Sequence, residues 1–151
     1  MRRRHLLLGL ALPLASIVAE SRMPNRIEII SDAAHPVENI GVVQKQLGDK
    51  TSIRYFAIDA QTQLDEMLSK DLSPDPEQAR VIALQRIQAL DRPNLARKLS
   101  TSFEGLLLAQ RYGIDRYPAV VFDEGERVVY GVTDLREAMR RYQQSTIKER
   151  Q

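Results

Sequence analysis

Asp32 and His35 are the two residues whose types and spacing first suggest chemistry. A carboxylate three residues before an imidazole can orient that ring and tune it as an acid or base near neutral pH. Such a dyad would sit in Ser31-Asp32-Ala33-Ala34-His35-Pro36, a segment that breaks an apolar run. No serine stands in an elbow motif that would supply a nucleophile beside the pair. The alternative is structural: Ser31 or Asp32 caps a helix, and His35 lies at its exposed start.

Other chemistries find little support. The chain has no cysteine, which excludes disulfides and thiol exchange and removes the softest metal ligands. The histidines are His5 and His35, too few to hold a transition metal. Neither glycine-rich phosphate-binding pattern occurs. No cofactor is expected.

The first residues set the charge balance. Arg2, Arg3 and Arg4 precede an uncharged, mostly apolar run from Leu6 to Ala19. That run is shorter than the roughly 18–20 residues that span a bilayer. A basic head, a short apolar body and small residues at its end predict a secretory signal peptide over residues 1–19, with cleavage after Ala19. An uncleaved anchor or a buried helix is the other reading of this run. The whole chain carries a formal charge of +2, from 22 basic and 20 acidic residues. Residues 1–19 hold three arginines and no acid, so the rest has 19 basic and 20 acidic residues. That balance gives no nucleic-acid footprint. Arg140 and Arg141, with Glu137 nearby, read as a solvated helix face.

The elements that must position Asp32 and His35 follow from periodicity. Residues 26–31 turn from alternating to apolar and predict a first strand. A helix is expected from Pro36 and Val37 to Leu47, with Pro36 in its first turn and Gly48 as its stop. Residues 51–58 are rich in β-branched and aromatic types and predict a second, parallel strand. Helices are expected over 61–71, from Pro76 to about Leu90, and, after an interruption at 91–94, on to Tyr112. In the last of these, Leu95, Leu99, Phe103, Leu106 and Leu107 form a stripe expected to face the core. Residues 119–122 and 127–132 predict a hairpin around Asp123-Glu124-Gly125-Glu126. Asp134 and Glu137 have the spacing of a capping box before a final amphipathic helix. Residues 145–151 read as a polar tail.

The order is β-α-β, a helical section over about 60–110, then β-β-α, all within one domain over 20–144. Between the helical section and the third strand stands Arg111-Tyr112-Gly113-Ile114-Asp115-Arg116-Tyr117-Pro118-Ala119-Val120-Val121-Phe122. This helix end, turn, Tyr-Pro step and apolar strand resemble the cis-proline segment of thioredoxin-fold proteins. Ser31-Asp32-Ala33-Ala34-His35-Pro36-Val37 stands where thioredoxins carry Cys-x-x-Cys. Together with residues 128–135, V-V-Y-G-V-T-D-L, these segments resemble a family of integrating conjugative element proteins of unassigned activity. That family is similar to thioredoxin-like periplasmic proteins of conjugative type IV secretion and pilus assembly.

The resemblance implies an α/β thioredoxin-like fold without its redox cysteine pair, and a cis Tyr117–Pro118 bond. Ala33 and Ala34 would stand about where the sulfurs would be. It also implies a periplasmic location and partners among the periplasmic proteins of the conjugation machinery. Direct nucleic-acid binding is not expected, and the membrane enters only through the signal sequence. In such a fold the loop before Pro118 lies beside the first-helix start. Asp32, His35, Tyr112, Arg116, Tyr117 and Pro118 would then line a surface able to hold an extended peptide. A solvated Arg116 and a partly buried Tyr117 with no ligand are the competing expectation. Three functions follow: a non-catalytic component of the apparatus, a peptide-holding chaperone, or an enzyme working through Asp32 and His35.

Overall fold

The structure is a computed structural model and describes residues 23–148. The expected signal peptide at 1–19 lies outside the described residues. Among the described residues are four strands and five α-helices: β1 (Arg26–Ser31), α1 (Ile40–Leu47), β2 (Ser52–Ala57), α2 (Ala60–Ser69), α3 (Pro76–Gln88), α4 (Arg92–Tyr112), β3 (Ala119–Phe122), β4 (Arg127–Tyr130) and α5 (Leu135–Lys148). The sheet order is β2-β1-β3-β4. β1 runs parallel to β2 and antiparallel to β3, and β3 runs antiparallel to β4. This is the thioredoxin-like α/β arrangement, and the Tyr117–Pro118 peptide is cis.

β1 and β3 form the centre of the sheet. Ile27, Ile29, Ile30 and all four β3 residues are fully buried, as suits strands covered on both faces. On one face Ile27, Ile29, Val120 and Phe122 pack with Val43 of α1 and with Leu135, Ala138, Met139 and Tyr142 of α5. The Phe122 and Tyr142 rings stack there, 4.5 Å between centroids. On the other face Ile30, Phe56, Ala119 and Val121 pack with Ala109 of α4 and with Ile114.

α4 meets the sheet through small residues. Ser102, Gly105 and Ala109 are its buried positions. A Cβ on Gly105 would lie 2.6 Å from the Phe56 Cβ and 3.0 Å from the Ile58 Cγ2. The helix comes that close because nothing projects from Gly105. The expected core stripe is thereby corrected: Phe103, Leu106 and Leu107 face outward, Leu107 at 66% exposure. α3 is likewise outlying, with no buried residue. Its Arg86 guanidinium donates to the carbonyls of Met67, Leu68 and Lys70 at the end of α2, at 2.6–3.2 Å. A cation there also opposes the negative end of the helix dipole.

Several boundaries differ from the sequence-based expectation. α1 begins at Ile40, not at Pro36 or Val37. The Glu38 N–H donates to the Thr133 carbonyl and its carbonyl accepts from the Leu135 N–H. These bonds hold 36–38 out of a helix, and Asn39 takes a left-handed turn at φ 62°. The interruption expected at 91–94 lies instead at 89–91, because α3 ends at Gln88, Asp91 caps α4 and Pro93 fits its first turn. Asp134 caps α5 but no capping box closes: the Glu137 carboxylate is drawn forward to Arg140 and Arg141. α5 continues through Ser145 to Lys148, so the expected polar tail is helical that far, and 149–151 lie outside the described residues.

Two of these contacts can be tested by unfolding. Gly41 in α1 has nothing within 4 Å of where a Cβ would stand. Gly41→Ala is expected to raise stability by about 0.5–1 kcal/mol through helix propensity. Gly105→Ala gains the same propensity but overpacks Phe56, which costs about 1–3 kcal/mol. Urea unfolding should therefore show a loss of stability at 105, and a variant more stable than the parent would contradict the close approach of α4.

Asp134 offers a pH test. Side-chain hydrogen bonds from Arg136 hold its carboxyl well below the usual carboxylate range; the Arg136 N–H and charge and the Asn39 side chain add to this, against a smaller opposing push from desolvation. A depressed folded value means stability present above the unfolded value of about 4 and lost as pH falls. The urea midpoint of Asp134→Ala should lie below the parent's near neutrality, with the gap closing as pH falls below about 4. A gap that stays constant into strong acid would refute this role.

Candidate functional site

The loops that carry the predicted site residues leave one end of the sheet. Ser31 closes β1, and the Ile58 N–H after β2 donates to its carbonyl at 2.9 Å. Ile30 pairs with Ala119, which places cis Pro118 at the same end. Gly131, just after β4, donates its N–H to the Pro118 carbonyl at 2.9 Å.

Asp32 shapes the first of these loops. Its Oδ1 accepts from the His35 backbone N–H and lies 2.8 Å from His35 Nδ1. The pair is hydrogen-bonded in the tautomer that carries its proton on Nδ1. The two side chains are in contact, and that of His35 is 54% exposed. Asp32 caps this tight turn and not α1. The Ser31 hydroxyl is buried and donates to the His35 carbonyl. It is thus committed to the backbone and does not face the imidazole as a nucleophile. Ala33 and Ala34 are exposed at the tip of the turn.

Asp59 holds this turn from the end of the neighbouring strand β2 and has no obvious sequence signal as a site residue. It stands at the N-cap of α2, yet its side chain does not cap that helix. Instead Oδ2 accepts from the Ala33 N–H at 3.0 Å and from the Gln63 amide at 2.9 Å. Oδ1 is buried without a hydrogen-bond partner among the described residues. Burial pushes the Asp59 carboxyl up, but the bonds from Ala33, Gln63 and its own backbone outweigh this and hold it below the ordinary value.

In the second loop, Arg116 is exposed and its guanidinium lies over the Tyr130 ring, 4.9 Å from the centroid. Its Nε is 3.4 Å from Asp115 Oδ1, a weak contact. Tyr117 is half-buried against the core and Pro118 is buried. Tyr130 is the other residue that the sequence did not single out; only its place in the antiparallel partner of β3 hints at it. Among the described residues, the main chain of Asp115, Arg116 and Tyr117 makes no backbone hydrogen bond. No bond or ion pair joins Asp32 or His35 to residues 115–118 among the described residues.

Tyr112 is a correction. It was expected beside Pro118, but its hydroxyl donates to Glu28 Oε2 at 2.8 Å, and its ring lies against Gly125. Glu28 pairs with Val121, toward the far end of β3. Tyr112 therefore belongs to the core at the opposite end from the Pro118 loop. No group of three or more His, Cys, Asp or Glu is placed to hold a metal among the described residues.

Residues 25–148 match the model of a family described as a protein of unknown function (DUF1525), and the chain belongs to that family. No curated protein and no solved structure matches it.

The contact that removes Tyr112 from the site makes its own prediction. Glu28 is 2% exposed, and the Tyr112 hydroxyl is its side chain's hydrogen-bond donor. Tyr112→Phe leaves that carboxylate unsatisfied and is expected to cost about 1–3 kcal/mol at neutral pH. Burial, the bond to Glu28 and the Glu28 charge push the Tyr112 hydroxyl up. A raised folded value means stability present below the unfolded value of about 10 and lost as pH rises through the folded one. Urea midpoints of the two proteins should accordingly converge above about pH 10; a gap that persists there would break the link to Glu28.

Proposed function

We propose that the protein is a non-catalytic, exported component of a conjugative transfer apparatus. In this reading it holds an extended segment of a periplasmic partner against the 115–118 loop and the 32–35 turn. The observation that carries it is the main chain of Asp115, Arg116 and Tyr117, which makes no backbone hydrogen bond among the described residues and lies in a loop where Asp115 and Arg116 are exposed. Free N–H and C=O groups on an extended loop can pair with an added strand. Arg116, set over Tyr130, presents a cation beside them. Ala33 and Ala34 offer shape without reactivity, and a chain with no cysteine cannot exchange thiols. Function is then carried by the site and not by the redox chemistry common in this fold. The conjugative setting rests on the likeness of residues 31–37, 111–123 and 128–135 to such proteins. A fixed scaffold and a chaperone for pilus or secretion subunits are two forms of the same reading.

The 2.8 Å contact between Asp32 and His35 favours a second reading, an enzyme that uses the pair as acid and base. The two readings separate in one experiment. The gene is deleted from its element, and transfer is measured with the parent, Arg116→Glu or His35→Ala supplied in trans. Deletion is expected to reduce transfer, the parent and His35→Ala to restore it, and Arg116→Glu to fail. Unchanged transfer after deletion would overturn the conjugative role. Failure of a folded His35→Ala, with Arg116→Glu active, would move the case to the enzyme.

A further inference from the structure

The outer edge of β2 is a separate feature from the Pro118 loop. β2 is a terminal strand of the sheet, with β1 on one side. In a parallel pair, alternate residues turn both main-chain groups toward the neighbour. The Ser52 N–H donates to the Asn25 carbonyl, and the Ile58 N–H to the Ser31 carbonyl. Ser52, Arg54 and Phe56 therefore face β1, and Ile53, Tyr55 and Ala57 point their N–H and C=O groups outward. Among the described residues, these three have no backbone partner on that side. Natural sheets blunt such edges with prolines, bulges, short strands or charged side chains. The one charged side chain on β2, Arg54, belongs to a residue whose main chain faces β1, and it is paired with Glu104. β2 has no proline and pairs with β1 without a break across six positions.

A cavity of about 350 Å³ opens beside this edge, between β2, α2 and α4. Tyr55, Ala57 and Ala60 give it an apolar lining, and Gln63, Arg97 and Lys98 a polar one. Arg97 and Lys98 are both exposed. Neither is in an ion pair among the described residues, whereas nearby Arg54 is neutralised by Glu104 at 2.7 Å. The lining includes no acidic side chain. An open row of main-chain donors and acceptors thus lies beside two cations that make no ion pair among the described residues, over a largely apolar lining. That combination complements an extended chain with one acidic side chain: the backbone adds to β2 while the carboxylate reaches Arg97 and Lys98.

We propose that the β2 edge and the Arg97–Lys98 cavity form a second binding site, specific for an extended peptide bearing an Asp or Glu side chain. This site is independent of the Pro118 loop, and its failure would leave the reading of that loop untouched.

The test uses two short end-blocked, fluorescent peptides that alternate Val and Thr around a central Glu or Gln. Anisotropy titrations with the purified protein should show the Glu peptide binding about fivefold more tightly than the Gln peptide, the scale of partly exposed charge pairs. The preference should shrink as salt is raised. It should vanish in Arg97→Gln/Lys98→Gln, whose two positions are exposed and leave the core intact. Hydrogen exchange should show new protection at the Tyr55 and Ala57 amides in the complex. No binding, equal affinity for both peptides, or a preference that survives in the double variant would overturn the proposal. So would protection that arises at Arg116 and Tyr117 in place of Tyr55 and Ala57.

Discussion

The close approach of Gly105 to Phe56 fixes the layout of the molecule. A side chain at 105 would need space that the Phe56 Cβ occupies at 2.6 Å. α4 can therefore lie on the sheet only through its small face of Ser102, Gly105 and Ala109. Three consequences follow along its length. Near its start, Arg97 and Lys98 are brought beside β2. In the middle, Phe103, Leu106 and Leu107 are turned away from the core. At its end, Gly113 takes the left-handed conformation at φ 64°, and the chain turns through Ile114 into the Pro118 loop. One missing methyl group thus helps set the cavity, the exposed apolar face and the entry to β3.

The centre of the sheet was legible in the sequence because β1 and β3 are buried on both faces and show as compact apolar runs. Ile29-Ile30 and Ala119-Val120-Val121-Phe122 have little other use in a folded domain. The start of α1 was not legible. Pro36 and the apolar spacing from Val37 are sound local signals, but the Glu38 main chain is claimed by Thr133 and Leu135, nearly a hundred residues away. The inward face of α4 was misread for a related reason. Hydrophobic periodicity marks where large side chains lie, and it assumes that they supply the contact. Here close backbone approach wins, and the contact is made where side chains are smallest.

The candidate site shows the same division between local and distant information. Asp32 and His35 are three residues apart, and their bond could be anticipated from the turn they share. Asp59 reaches Ala33 across 26 positions, and Tyr130 meets the loop residue Arg116 from strand β4. No local pattern marks either residue. Tyr112 was misplaced because proximity in sequence to Pro118 was taken for proximity in space. Four residues and a left-handed glycine separate them, enough to send Tyr112 toward Glu28 at the other end of β3.

The clamp on the 32–35 turn bears on what that turn is for. In a redox protein of this fold the turn must present thiols in a fixed geometry. Here its tip carries Ala33 and Ala34, which react with nothing, yet the turn is held from both sides. Asp32 fixes the His35 N–H, and Asp59 fixes the Ala33 N–H. The second clamp is not free. Asp59 Oδ1 is buried without a partner among the described residues, and an unsatisfied buried acceptor costs about 1–3 kcal/mol. Its bonds nevertheless keep the carboxyl below its ordinary value, so at neutral pH it stays a charged acceptor for Ala33. A turn that only linked β1 to α1 would not need this; many looser conformations of the same length would serve. What the clamps preserve is a defined shape at the end of the sheet where residues 115–117 offer unpaired main chain. A rigid surface loses less freedom on association than a mobile one, so under the proposed binding role a partner segment would meet a turn whose shape is already fixed.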